Sequence, residues 1–200
     1  MSAKAAATRL NILQKAFELI YKNGYRTTSV DEIIATTQVT KGAFFYHFKS
    51  KDEMGLAMIN EVMSPGMQEA LIGPLSNSED AITEIYSMMH SLLMETPFFI
   101  VKYGCPAVNL VEEMASQSEV FKSALTKLNS QWHTAIAASL EKGKTLGKNI
   151  AKIQRQPPGQ GLQTEHAKQF CDAWISLDEL SGLDIDIELP AHGGVVQTKG

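Results

Sequence analysis

Three helix-start signals fall within one short stretch of this chain, and they leave room only for short helices between them. Ser29-Val30-Asp31-Glu32 and Ser50-Lys51-Asp52-Glu53 both have capping-box spacing, in which a hydroxyl and a carboxylate three residues on satisfy orphan amides reciprocally. Thr40, between them, is a third good N-cap. The spacing predicts a helix from Ser29 that runs out near Thr36-Thr37, a turn through Gln38 and Val39, and a helix from residue 41 to about 48. Phe44 and Phe48, at i and i+4 on that helix, face a core. Upstream, Leu10, Leu13, Ala16/Phe17 and Ile20/Tyr21 recur at helical spacing until Gly24 supplies a stop. Downstream, the helix opened at Ser50 carries Met54, Ala57/Met58 and Val62, and Pro65-Gly66 kinks or ends it. Short helices with a tight turn between the second and third have the layout of a helix-turn-helix.

The charge distribution fits such a head. The net charge of −4 by itself argues against a polyanionic partner. Residues 1–53, however, hold eight Lys/Arg against five acids, whereas 54–200 hold ten against seventeen. A basic head on an acidic body binds a polyanion locally. The two cysteines, Cys105 and Cys171, have no CxxC pairing, which excludes a disulfide framework or zinc finger. No apolar run approaches the length of a membrane span and no signal-peptide core is visible, so the expectation is a cytoplasmic protein with no membrane partner.

Helical periodicity continues past residue 54. Asn77 or Ser78 caps a helix with Ala81/Ile82, Ile85/Tyr86, Met89 and Leu92/Leu93 on one face, stopped by Pro97. A shorter helix spans 106–115. A long one spans about 116–140, with Phe121, Leu125, Leu128, Trp132, Ile136 and Leu140 along its stripe and Gly143 and Gly147 ending it. The texture changes after Asn149. Residues 154–161 read as a Pro/Gln/Gly linker, 165–181 as one more helix, 183–189 as an alternating strand-like run, and the rest as a loose tail. The expected fold class is all-α: a three-helix helix-turn-helix domain over 1–53, a larger helical domain over 54–148, and a divergent, partly disordered segment over 149–200.

The run Thr40-Lys41-Gly42-Ala43-Phe44-Phe45-Tyr46-His47-Phe48-Lys49-Ser50-Lys51, with Thr27-Thr28-Ser29-Val30-Asp31-Glu32-Ile33-Ile34 before it, resembles the recognition region of the TetR (tetracycline-repressor-like) family. The resemblance covers about residues 8–62. It implies a homodimeric, ligand-responsive transcriptional regulator, in most members a repressor, that binds a palindromic double-stranded operator. It implies no enzymatic activity, no cofactor and no metal. The chemistry of the residues points the same way. Gly42 and Ala43 are small enough for backbone to approach base edges and a thymine methyl. Lys41 reaches a guanine edge or a phosphate. Thr40 and Ser29 stand at helix N-termini, where free amides favour phosphate oxygens. Tyr46 and His47 offer polar tips on the groove side, and Lys51 is placed for backbone phosphate. Phe45 stands where the family usually has Tyr. A phenyl ring donates no hydrogen bond, so contact with a thymine methyl or sugar replaces it.

The resemblance further implies that the later helices dimerise and hold a small-molecule effector. Tyr86, Met89, His90, Leu93, Phe98 and Tyr103 form a Met- and aromatic-rich region suited to an apolar pocket. The run from Gly104-Cys105-Pro106 to Asn109-Leu110 looks like a Gly-Cys-x-x-x-Asn-Leu motif of one family branch. Pro106 at N1 puts Cys105 at the N-cap, a position that lowers thiol pKa and makes electrophiles candidate effectors. The family usually closes with two long helices at its dimer interface. Here one such helix is visible, so the tail is either divergent or the product of a frame shift near residue 149. An enzyme would need motifs that are missing: there is no His-Glu-x-x-His, Gly-x-Ser-x-Gly or phosphate loop, and the histidines lack ligand spacing. A helical adaptor that binds only proteins is the remaining alternative, and it has no need of the Thr40–Lys51 pattern.

Overall fold

The computed structural model describes residues 2–95 and 99–146. All regular structure among them is helical: α1 (Ala3–Asn23), α2 (Val30–Thr37), α3 (Lys41–His47), α4 (Lys51–Met58), α5 (Ser64–Met67), α6 (Gly73–Asn77), α7 (Ala81–Met94), α8 (Pro106–Met114) and α9 (Glu119–Thr145). The segment 149–200, with its expected linker, helix and strand-like run, lies outside the described residues, as do Pro97, Phe98 and Gly147.

The head forms as its caps require. Ser29 and Glu32 close a complete capping box and Thr40 Oγ1 accepts from Ala43 N, whereas at Ser50 only half of the expected box forms: Ser50 Oγ accepts from Glu53 N, and the Glu53 carboxylate accepts from Lys49 N. Helix α1 begins earlier than its apolar stripe, capped by Ser2. It buries Ile12, Leu13, Ala16, Ile20 and Tyr21, while Leu10 stays exposed. Its C-cap Gly24 has φ 91° and donates its N–H to the Ile20 carbonyl. Gln38 makes the tight turn before α3 in the left-handed region, with φ 56°. Phe44 and Phe48 are wholly buried, in the apolar cluster that also holds Ile12, Leu13, Ile33, Met54 and Met58.

Helix α4 does not end at Pro65-Gly66. It continues into α5 and α6 as one rod through two π-helical turns, Ile59–Met63 and Gln68–Ile72. The reason is local. A proline ring clashes with the carbonyl four residues back; for Pro65 and Pro74 those carbonyls belong to Glu61 and Ala70, and each lies inside a π turn. The wider coil absorbs the clash without a break.

In the body, α9 buries Phe121, Leu125, Leu128, Trp132, Ile136 and Leu140, the stripe read from its periodicity. Ser118 caps it, and Gly143 is buried inside the helix instead of ending it. Helix α7 starts at Asp80, whose carboxylate accepts from Thr83 N; the Ser78 hydroxyl bonds to Asp80 backbone instead of capping. Helix α9 packs on α6, α7, α8 and both π turns. The buried residues of head and body form one continuous apolar cluster, stabilised at about 25 cal/mol per Å² of apolar surface removed from water.

Candidate nucleic-acid interface

Helix α3 turns one side inward and leaves the other open. Phe44 is fully buried; Tyr46, nearly opposite it by helical spacing, is 74% exposed. Phe45 is 43% exposed beside it. A Cβ added at Gly42 would meet nothing within 4 Å. No internal contact therefore requires glycine there. Lys41 is exposed and pairs with Asp31 of α2 at 3.2 Å, an ion pair in solvent that a phosphate can replace at little cost. The Thr40 hydroxyl and the Ala43 amide are engaged with each other in the cap.

Three nominated residues sit differently from the sequence expectation. The Ser29 hydroxyl and amide are both held by the Glu32 carboxylate, at 2.7 and 2.6 Å. Those bonds hold Glu32 below its ordinary pKa, so an anion already occupies this helix start. Lys51 turns inward: its Nζ donates to the Tyr25 carbonyl at 2.5 Å and lies 4.4 Å from the centre of the Tyr25 ring. Burial lowers its pKa. His47 is half-buried, stacked edge-on to Tyr46, and its Nδ1 is buried without a hydrogen-bond partner. The open face thus brings together Lys41, Gly42, Phe45 and Tyr46. Lys49, exposed just beyond α3, adds a cation that the motif reading passed over.

Sequence reasoning also missed Arg9. From α1 its guanidinium donates to the His47 carbonyl (3.1 Å) and, through Nη2 and Nε, to the Glu61 carboxylate (2.6 and 3.0 Å). It also covers the Phe48 ring at 4.4 Å. The bond to Glu61 raises its pKa. Read by periodicity, Arg9 is merely a polar residue off the apolar stripe; its partners are 38 and 52 residues away.

In the body, the nominated effector residues do not converge. Tyr86 and His90 are exposed, with His90 3.9 Å from Glu95. Met89 and Leu93 are half-buried, and Phe98 lies outside the described residues. Tyr103 packs edge-on against Tyr21 of the head. Ala81 and Met88 are the buried residues of α7, with Met89 and Leu93 packed partly buried against the same core. A groove of about 280 Å³ between the rod and α7 is lined by Ala70, Pro74, Glu84, Ser87, Met88, Ser91 and Leu92. Among the described residues no group of three or more His, Cys, Asp or Glu is placed to hold a metal, and no helix is long and apolar enough to cross a membrane.

Cys105 does occupy the N-cap of α8, with Pro106 behind it, and is 6% exposed. It belongs to the seam between head and body. There the Tyr21 hydroxyl donates to the Gly104 carbonyl (2.6 Å) and accepts from Ile100 N (3.0 Å). Burial, with Cys105 and Tyr103 nearby, pushes its pKa up to about 12. At the other end of α8, the Glu113 carboxylate accepts from Tyr25 N (3.0 Å) and Arg26 N (2.9 Å). Burial and the bond to Asp52 also raise the Tyr25 pKa.

Comparison with known proteins agrees with this geometry. The sequence profile described as "Bacterial regulatory proteins, tetR family" matches residues 12–58, the span from α1 to the end of α4. An uncharacterized HTH-type transcriptional regulator in the lacX 3′ region of Lactococcus lactis subsp. lactis is 35% identical over 133 residues, covering 66% of this chain and 68% of that relative. The HTH-type transcriptional repressor DhaR of Mycobacterium sp. (strain GP1) is 24% identical over 139 residues, covering 70% and 68%. Among solved structures, the reduced form of NemR from E. coli shares the fold, with a TM-score of 0.63 at 21% identity over 88% of each chain. With a helix-turn-helix at its head, and a relative this similar over two thirds of that relative's length, the chain belongs to the TetR family of bacterial regulatory proteins.

Proposed function

We propose that this transcriptional regulator represses by binding a two-fold symmetric operator as a homodimer. In this reading residues 1–53 read the DNA, and 54–148 dimerise and receive a small effector whose binding loosens the operator. The observation that carries it is the contrast within α3. Phe44 is buried completely, while Gly42 faces open space and Tyr46 is 74% exposed. A helix held by one side with a small residue at its leading turn suits entry into a major groove. A protein-only adaptor has no use for that leading turn. The groove beside α7 is one place for an effector. A second route is electrophile attack at Cys105, which stands in the head–body seam. Selection from random duplex DNA is the test. A palindromic site bound with affinity that falls steeply as salt rises supports the reading; no enriched sequence overturns it. Electrophile-induced release that persists in Cys105→Ser would remove the thiol from the mechanism.

A further inference from the structure

We infer that Arg9 and Glu61, neither of them on the reading face, form a positioning pair that sets where the recognition helix lies, and with it the specificity of DNA reading. The inference rests on the DNA-reading function. Helix α3 has seven residues, too few to be stable on its own. Its start is fixed by the Thr40 cap and its middle by Phe44. Its last carbonyls have no partner within the helix, as at every helix C-terminus.

Arg9 supplies that missing hold. One guanidinium nitrogen donates to the carbonyl of His47, the final residue of α3, and the plane of the group covers Phe48, the next residue. The other two nitrogens are taken up by Glu61 in a fork at 2.6 and 3.0 Å. The planar guanidinium gives the carboxylate two parallel bonds and aims a third nitrogen at the carbonyl, a bidentate geometry that a compact ammonium on a flexible stem does not reproduce. Glu61 lies in the first π turn of the rod, so the pair joins three elements: α1, the end of α3 and the rod. The Arg9 side chain is also only 21% exposed and has all three guanidinium nitrogens engaged, which leaves it poorly disposed to meet a phosphate.

Charge and geometry make opposite forecasts here. Glu61→Gln removes a negative charge from a protein that must approach a polyanion, so a field effect strengthens DNA binding. Loss of positioning weakens it. Arg9→Lys keeps the cation and loses the fork, so a field effect changes nothing while loss of positioning again weakens binding.

The experiment titrates full-length wild type, Arg9→Lys, Glu61→Gln and the double variant against the duplex recovered by selection on wild type, and against an unrelated duplex, over a salt series. Thermal unfolding confirms that each variant is folded, and the unrelated duplex serves as a second measure if one is destabilised. Expected is about a tenfold loss for the selected duplex in each single variant, the size of one lost charge-assisted bond. The unrelated duplex should show no loss, the salt slope should be unchanged, and the double variant should be no worse than the weaker single one. Glu61→Gln binding as tightly as wild type or tighter overturns the proposal. So does a salt slope in Arg9→Lys lower by about one, since that marks a phosphate contact. If wild type itself selects no duplex, the DNA-reading function fails, an outcome distinct from variants that match a specific wild type.

Discussion

Gly42 and Gly55 are both helical glycines, present for opposite reasons. At Gly42 a methyl group would meet open space, so only a partner from outside could object to it. At Gly55 the same methyl would stand 2.8 Å from the Tyr25 ring and 2.9 Å from Phe121, where α4 crosses the seam. Gly42→Ala should keep or slightly raise stability, by up to about 1 kcal/mol of helix propensity, yet weaken operator binding. Gly55→Ala should destabilise by about 1–3 kcal/mol through overpacking. Urea unfolding together with DNA titration checks both, and equal DNA affinity in Gly42→Ala would remove that residue from the reading face. The motif's neighbours single out Gly42 in the sequence, whereas nothing local singles out Gly55, whose constraint comes from rings 30 and 66 positions away. Lys51 shows the reverse error. Its place in the motif is right for a phosphate, but the Tyr25 carbonyl and ring have drawn it inward. Tyr46→Ala should therefore cost operator affinity without cost to stability, since the side chain is 74% exposed. Lys51→Met should lower the unfolding midpoint and change the salt slope by less than one contact.

At the scale of elements, what is local was legible and what depends on a neighbour was not. The caps Ser29, Thr40 and Ser50 and the α9 stripe were readable because each signal lies within a few residues of its effect. Ser29→Ala should accordingly cost about 1 kcal/mol, measurable as a lower urea midpoint, with Ser29→Thr, which keeps the hydroxyl, recovering much of it; no change in Ser29→Ala would mean that the box adds nothing. The rod misled in another way. Pro65 announces a lost N–H, but not that the chain four residues earlier will widen into a π turn and carry the helix on. Helix α7 was read well along most of its stripe: Ala81 is buried, and Ile82, Ile85, Met89, Leu92 and Leu93 pack partly buried against the core. Met88, also buried, was passed over, and Tyr86, counted on the expected face, is 44% exposed. Periodicity locates a helix and leaves its rotation open when several faces could be buried.

At the scale of the whole molecule, the seam through which a body signal must pass joins the apolar core of head and body and adds a polar clasp at its edge. Tyr21 at the end of α1 clasps the backbone before α8, and Glu113 at the end of α8 clasps the backbone after α1, so α8 is held at both its ends to the C-terminal end of α1. The charge asymmetry between head and body was visible in the sequence; this clasp was not, because its partners are 79 to 88 residues apart. The clasp has a pH signature. An unfolded tyrosine gives up its proton near its ordinary value of 10, whereas burial makes folded Tyr21 keep its proton until about 12. Between those values the native state holds the proton and the unfolded chain does not. The contribution is therefore complete below pH 10 and is lost as pH rises through 12, with a slope approaching about 1.4 kcal/mol per pH unit. Tyr25, also raised by burial, adds a decline of the same sign. Tyr21→Phe removes only the Tyr21 part. At pH 9 the variant should be less stable by about 1–2 kcal/mol, because the Ile100 amide and Gly104 carbonyl lose their partner. As pH climbs from 10 towards 12 the wild type should fall faster, so the gap between the two urea-unfolding free energies narrows. Parallel curves across that window would show that the Tyr21 hydroxyl carries no proton-linked stability.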